Sequence, residues 1–349
     1  MLRCYTISSC GRWAVLLLVV VMWLSACSPQ RPRPVRMAFT IDTMLRTTPV
    51  ADQGRSQLCW VYAMLGTIET DRLMQGDSVS LSVAYPVRRY MEELATESLL
   101  RSPAYQPTMR GMASLALSLT DTYGALPADA YPMPADASAD ALLRGIVQMA
   151  RFAPSVSVLQ GRVADMLDAR MGTLPHAAYM LGARYTFAEF AHSVYAQRYV
   201  AITSFTHHPF GRPFVLEVPD NVRRHSFDNI PLDTLMARID RALTHGYAVC
   251  WEGDVSEPGF SFARGVATLP PGTVADQEHR QRQFERRLTT DDHCMVLIGI
   301  AHDRRGHRYY VAKNSWGTHN PYGGMMYLSE EYVRMKTIAI YINNETCHL

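Results

Sequence analysis

The sequence predicts an α+β protein in two halves, helices first and a sheet second. Three observations predict this. Helix-type apolar periodicity begins at Cys59 and recurs to about residue 198. From residue 199 onward, β-branched and aromatic runs take over, starting with "YVAITSF". The two signals do not alternate, so no βαβ units and no parallel doubly wound sheet are expected. Composition agrees with a folded chain: of 349 residues, 48% are hydrophobic and 19% charged. That length suits a large single domain or two lobes. The net charge of +2 comes from 34 basic and 32 acidic residues, with no basic cluster interleaved with aromatics. A dedicated nucleic-acid binder is thereby disfavoured. No fixed-period repeat is present.

The N-terminus is expected to be a targeting segment. Arg3 and Arg12 precede "WAVLLLVVVMWL", 12 uninterrupted apolar residues at 13–24. This run is short for a membrane-spanning helix and fits the apolar region of an export signal. It ends in "LSAC", Leu24 to Cys27, which resembles the bacterial lipobox. The resemblance implies lipidation of Cys27, removal of the residues before it, and attachment to the membrane by acyl chains. Ser28 then points to outer-membrane sorting, with the protein exported to the bacterial cell envelope. An ordinary signal cut after Ala26 and an uncleaved anchor are the alternatives. Residues 28–40, opening with the Pro/Arg-rich "SPQRPRPVR", are expected to be a tether. The remainder, 41–349, is expected to be one folded unit, mainly helical to 198 and mainly β from 199.

The elements follow in order. Val61, Tyr62, Leu65, Ile68 and Leu73 recur on one side of a helix running from Cys59 to Leu73. "GDSVSLS" turns the chain. Ala84 to Leu100 is a second helix, with Arg88, Arg89, Glu92 and Glu93 as its solvated face. Residues 111–127 hold a third, followed by Pro-rich punctuation to Pro134. Residues 137–198 read as mainly helical. In the second half, 231–247 is an amphipathic helix with Gly246 past its end. "AVCWEGDV" is a strand. Residues 275–290 are charge-dense and read as an exposed helix or lid-like connection. "HCMVLIGIAHD", "RYYVAKNSW" and "TIAIYIN" are three strands near the C-terminus.

Thiol-dependent acyl chemistry needs a thiolate, a base in reach, a group that orients the base, and donors for the oxyanion. The sequence offers one candidate for each. Cys59 begins a helix, where free N–H groups and the dipole favour an anion. Trp60 and the apolar run behind it would anchor that helix in a core. His293 stands just before an apolar strand, at the rim of a sheet. Asn314 could accept from the imidazole N–H, and Trp316 could shield that bond. Gln53, six residues before Cys59, could give a side-chain N–H to the oxyanion beside the Cys59 backbone N–H. Taken singly, each has a plainer account: a packed cysteine, a satisfied histidine, a turn asparagine before Gly317 and a solvated glutamine. His207 and His208 are expected to point apart along a strand. No C-x-x-C pair occurs, so zinc and thioredoxin chemistry find no support. The cysteines left after processing, Cys59, Cys250, Cys294 and Cys347 beside Cys27, define no disulfide framework.

Order and context raise these candidates together. "DQGRSQLCW", "DDHCMVLIG" and "KNSWG" resemble the three signature blocks of the papain superfamily of cysteine peptidases. The order Gln53, Cys59, His293, Asn314 is that family's order. "YGALPADAYP", "YVAITSFTHHPF" and "WEGDVSEPGF" are similar to segments of its bleomycin hydrolase or aminopeptidase C branch. The resemblance implies a papain-like two-lobed fold with helical insertions. A helical left lobe would carry Gln53 and Cys59, and an antiparallel β-rich right lobe His293 and Asn314. It implies hydrolysis of peptide or protein substrates by a Cys59–His293 ion pair, with no metal or organic cofactor. An aminopeptidase or oligopeptidase is the leading form. A broad endopeptidase, a cysteine acyltransferase or amidase, and a non-catalytic peptide-binding lipoprotein on the same scaffold are the alternatives.

The chain departs from the family in several places. Cys294 stands where a small residue is usual, and strand alternation would aim it away from His293. The chain is shorter than full-length bleomycin hydrolases. The tail "NNETCHL" differs from theirs, and a Leu349 carboxylate could anchor a substrate amine only if the tail reaches the cleft. An export signal is also unusual among these relatives.

Overall fold

The computed structural model describes residues 37–347, apart from 103, 136 and 195–197. The export signal, the Cys27 lipidation site, most of the tether and Leu349 lie outside the described residues. The first element among the described residues is strand β1, Phe39–Met44. Phe39 and Thr40 pair with Asp303 and His302, so the last two residues of the expected tether belong to the sheet.

Five helices follow: α1 Cys59–Met74, α2 Ala84–Leu100, α3 Ala113–Tyr123, α4 Ala139–Arg151 and α5 Val156–Met171. Ser138 and Ser155 cap α4 and α5 by accepting from Ala141 and Val158 backbone N–H groups. A short hairpin, β2 Ala178–Met180 and β3 Ala183–Tyr185, interrupts the region expected to be helical. Helix α6, Phe187–Ser193, then starts with a capping box of Thr186 and Glu189.

Helix α1 is buried almost all round from Trp60 to Asp71 rather than along one side. An all-round buried helix is a core helix. Two of its buried threonines bond within the helix: Thr67 Oγ1 donates to Ala63 O and Thr70 Oγ1 to Gly66 O. Helix α2 has the expected bounds, but its charges are not all solvated. Arg88 is buried and donates to Glu92, to Gly172 O and, across to α5, to Asp168. A guanidinium can be buried when each of its donors finds an acceptor.

The second half supplies β4 Tyr199–Thr203, β5 Pro213–Val215, β6 Ser226–Asn229, α7 Leu232–Thr244 and β7 Val249–Gly253. Then come β8 Phe260–Ser261, β9 Val266–Ala267, α8 Gln277–Glu285, β10 His293–Asp303 and β11 Arg308–Lys313. The chain ends with β12 Met325–Ser329, α9 Glu330–Lys336, β13 Thr337–Asn343 and a 3₁₀ turn, Asn344–Cys347. One mainly antiparallel sheet runs β5-β6-β4-β13-β7-β10-β11-β12-β9-β8, and β1 adds to the far part of β10. Helix α8 lies where a solvated element was expected, yet Arg280 is wholly buried. It donates to Ser204 O and Arg334 O and lies over the Phe205 ring at 4.6 Å.

Helix α1 lies against β10. Gly66 permits that approach: a Cβ there would stand 3.3 Å from Val296 Cγ2 and 3.4 Å from Lys313 Nζ. The first residue of α1 is thereby brought beside the start of β10. This is an α+β, papain-like arrangement, a helical side and an antiparallel sheet side meeting at Cys59 and His293.

Candidate active site

Cys59 is half-buried at the first turn of α1, where the helix has no side-chain cap. Its unpaired backbone N–H groups are therefore available to an anion. The Cys59 thiol is held well below its ordinary pKa. A hydrogen bond from the Cys294 thiol is the largest cause; burial opposes it, and a hydrogen bond and charge from His293 add to it. A thiolate is the reactive form of cysteine, so this environment favours a nucleophile.

His293 opens β10 and is only 3% exposed. Its Nε2 lies 2.7 Å from Asn314 Oδ1. That oxygen also accepts from the Ser315 backbone N–H at 2.7 Å, so it must be the acceptor and Nε2 the donor. The tautomer is fixed, and Nδ1 is left for Cys59. Trp316 covers the imidazole with ring centroids 4.4 Å apart, and is itself flanked by Phe260 and Phe262. Water is thus kept from the His293–Asn314 bond.

Gln53 is tied to the same loop. Its backbone N–H donates to Ser315 O, and its Oε1 accepts from Ser315 Oγ at 2.6 Å. Its Nε2 donates to Ser56 O at 2.8 Å. An amide nitrogen carries two hydrogens, so one remains for an oxyanion. Main-chain contacts complete the strap: Asp52 bridges to Trp316, and Gly317 N donates to Ala51 O. Gly317 has φ of 70°, and a Cβ there would meet Asp52 Oδ2 at 2.9 Å, so a side chain would be strained and would push the strap apart.

Gln53, Cys59, His293 and Trp316 line one cleft of about 470 Å³, together with Arg110 and Asp220. Trp60 does not face it. The indole is buried, donates Nε1–H to Met109 O and packs edge-on against Tyr90, so Trp60 anchors the helix. All four chemical candidates come together, and the sequence had no signal for several companions. Ser315 links Gln53 to the Asn314 loop. Arg110 pairs with Asp220 at 2.8 Å on the cleft wall. The nearest legible hint was the position of Ser315 beside Asn314.

Two expectations are changed. His207 and His208 do not diverge: both Nε2 atoms converge on Glu217, at 3.1 and 2.7 Å. The cause is that they follow β4 in a turn, outside any strand. Three potential metal ligands thus meet. However, Gln281 Nε2 points at His207 Nδ1, while Gln281 Oε1 accepts from Thr206 N. This orientation makes His207 Nδ1 an acceptor and puts the proton on Nε2, which then offers Glu217 a hydrogen and no lone pair. The cluster is a hydrogen-bonded one.

The second change concerns Cys294. Alternation holds: Cys294 shares a face of β10 with Val296, opposite His293. But that is the face on which α1 lies, so Cys294 meets Cys59 from the strand side. The four cysteines among the described residues are all free thiols.

This geometry has recognisable relatives. Residues 176–347 match the Peptidase C1-like family. PepW from Lactobacillus rhamnosis is similar in structure, with a TM-score of 0.69 at 16% identity over 98% of this chain and 93% of PepW. The bromelain protease from Ananas comosus gives a TM-score of 0.42 at 13% identity over 85% of this chain and 94% of bromelain. No curated protein matches in sequence. The likeness to PepW shows the fold. The family match lies in the sheet half and includes His293 and Asn314; Gln53 and Cys59 lie before it.

Proposed function

We propose that this protein hydrolyses peptide bonds through Cys59 and His293. The observation that carries the proposal is the assembly of a depressed-pKa thiol, a tautomer-fixed imidazole and a side-chain amide donor in one cleft. The Cys59 thiolate attacks the scissile carbonyl carbon, and the oxygen takes up negative charge facing Gln53 Nε2 and the Cys59 N–H. The tetrahedral species collapses as His293 gives its Nδ1 proton to the departing amine. Water, deprotonated by His293, then releases the acyl group and restores the thiolate.

An aminopeptidase or oligopeptidase remains the favoured form. Asp220 and Asp292 line the cleft and offer carboxylates to a substrate's free amine, although Arg110 already pairs with Asp220. The "LSAC" segment supports a lipid tether at Cys27 and an envelope location; loss of labelled palmitate incorporation in Cys27→Ala would be its signature, and undiminished incorporation would refute it.

The test of the activity is covalent labelling with a thiol-directed peptide electrophile, run beside hydrolysis of one fluorogenic peptide with a free or acetylated amine. Labelling and turnover should both vanish in Cys59→Ala. Full labelling of that variant would overturn the assignment. Equal rates on the two peptides would remove the aminopeptidase form.

A further inference from the structure

The cleft that holds Cys59 does not end at Gln57. Gln57 also lines a second hollow, of about 620 Å³, between the loop 105–109 and helix α4. The loop itself leads from one space to the other. Thr108 and Met109 bound the hollow, and the next two residues, Arg110 and Gly111, bound the cleft. Thr108 Oγ1 donates to Gln57 Oε1 at 3.4 Å, so the two spaces meet across a pair of polar side chains. The far wall of the hollow is one face of α4: Asp140, Leu143, Arg144, Val147, Gln148 and Arg151 recur at steps of three and four. At 1.5 Å per residue that face is about 16 Å long. An extended peptide advances about 3.3 Å per residue, so about five of its residues fit alongside.

The lining has the chemistry of a peptide groove. Met109 and Leu143 are buried and give an apolar floor. Gln106 and Gln148 stand exposed at the groove, and a side-chain amide can both donate to and accept from a peptide main chain. Arg144 and Arg151, two helical turns apart, are also exposed. Neither makes an ion pair among the described residues, although Asp140 is one turn from Arg144. The groove therefore presents two unneutralised cations against one carboxylate.

We propose, resting on the peptidase reading, that this groove is a further part of the substrate site: it takes an extended segment of the peptide several residues from the scissile bond, and Arg144 and Arg151 select acidic side chains in that segment. Continuity with the cleft at Gln57 names the occupant as the substrate's own chain. Alternate side chains of an extended peptide point to opposite faces, so apolar ones can rest on Met109 and Leu143 while acidic ones stay at the rim, within reach of the long guanidinium side chains. Exposed ion pairs are individually weak, so the groove chooses among peptides and does not supply most of the affinity.

The experiment measures binding apart from turnover. Fluorescein-labelled ten-residue peptides, identical except for Glu or Lys placed at each position in turn, are titrated into the full chain carrying Cys59→Ala and followed by anisotropy. Turnover of the same peptides by the wild type is followed by chromatography. At the positions that reach α4, Glu should bind about tenfold more tightly than Lys, and kcat/KM should show the same ratio. Arg144→Glu with Arg151→Glu should invert both ratios, and Arg144→Gln with Arg151→Gln should abolish them; both positions are exposed, and a melting curve checks the fold. Equal binding of Glu and Lys peptides at every position would overturn the proposal, as would a preference that survives charge reversal. So would a preference in binding with none in kcat/KM, because the groove would then not feed the cleft. Charge-reversible Glu preference in a protein that hydrolyses none of the set would keep the groove as an acidic-peptide site and sink the peptidase reading, a separable result.

Discussion

The two sides of the cleft are built differently. On the sheet side, His293 and Asn314 are almost wholly buried, and each is fixed by side-chain bonds: Asn314 Oδ1 to Nε2, Trp316 over the ring. On the helix side, Cys59 and Gln53 are half-exposed; Cys59 is placed by the first turn of α1, and Gln53 by a loop whose main chain is strapped to Ser315 and Trp316, with its side chain also bonded to Ser315. The family match covers the sheet side alone. A base must hold one tautomer, which requires a specific partner side chain. A nucleophile at a helix start needs only the helix end and room, which many sequences can supply. The difference teaches that the base depends on particular partner side chains, whereas the nucleophile depends on where a helix begins.

The strongest way to break this comparison is to remove one chemical group from each side. His293→Ala should lower kcat/KM by roughly 10³–10⁴ while leaving the thermal midpoint close to wild type, since triad members act as a unit. Gln53→Ala should cost less, about 10²–10³ in kcat with a smaller change in KM, because it removes one oxyanion donor. Steady-state kinetics beside a melting curve separates these from unfolding. A Gln53→Ala loss carried by KM alone would mean that Gln53 binds ground-state substrate, and that its remaining amide hydrogen does not reach the oxyanion.

The same contrast explains what could be read in advance. The bounds of α2, β10 and β13 were legible because a long periodic pattern and burial agree there. Strand β1 was not, because its pairing partner lies some 260 residues away and its own pattern is half polar. Neither was the β12–α9 corner, where "MMYLSEEY" carries strand and helix signals in immediate succession. Arg280 was read as exposed because composition reports charge and cannot report the carbonyls of Ser204 and Arg334 that accept from it. At the site, Gln53, Cys59, His293 and Asn314 were legible through order and local blocks. The position of Cys294 was not, because alternation gives its face correctly but does not say which helix covers that face.

The two sides are also joined far from the cleft, and that junction should respond to pH. Asp71, near the end of α1, accepts from Tyr199 Oη on β4 and from the Ala248 backbone N–H just before β7, both at 2.7 Å. Burial pushes its carboxyl up to about 7 from an ordinary 3.8, against the hydrogen bonds that favour the anion. The folded protein therefore keeps a proton that the unfolded chain releases. The contribution of Asp71 to stability is complete below about 3.8 and is lost as pH climbs through about 7. Over that window wild type should lose roughly 1.4 kcal/mol per pH unit relative to Asp71→Asn, which cannot ionise. Above pH 7 the difference should level off, even though Glu252 keeps the absolute stability of both proteins falling further, its own carboxyl being raised by burial. Urea midpoints at half-unit intervals from pH 4 to 8 measure this. A difference that stays flat across the window, or that grows with the opposite sign, would show that the α1–β7 junction holds Asp71 as an anion, and that the two sides meet there as an ionic contact and not a protonated one.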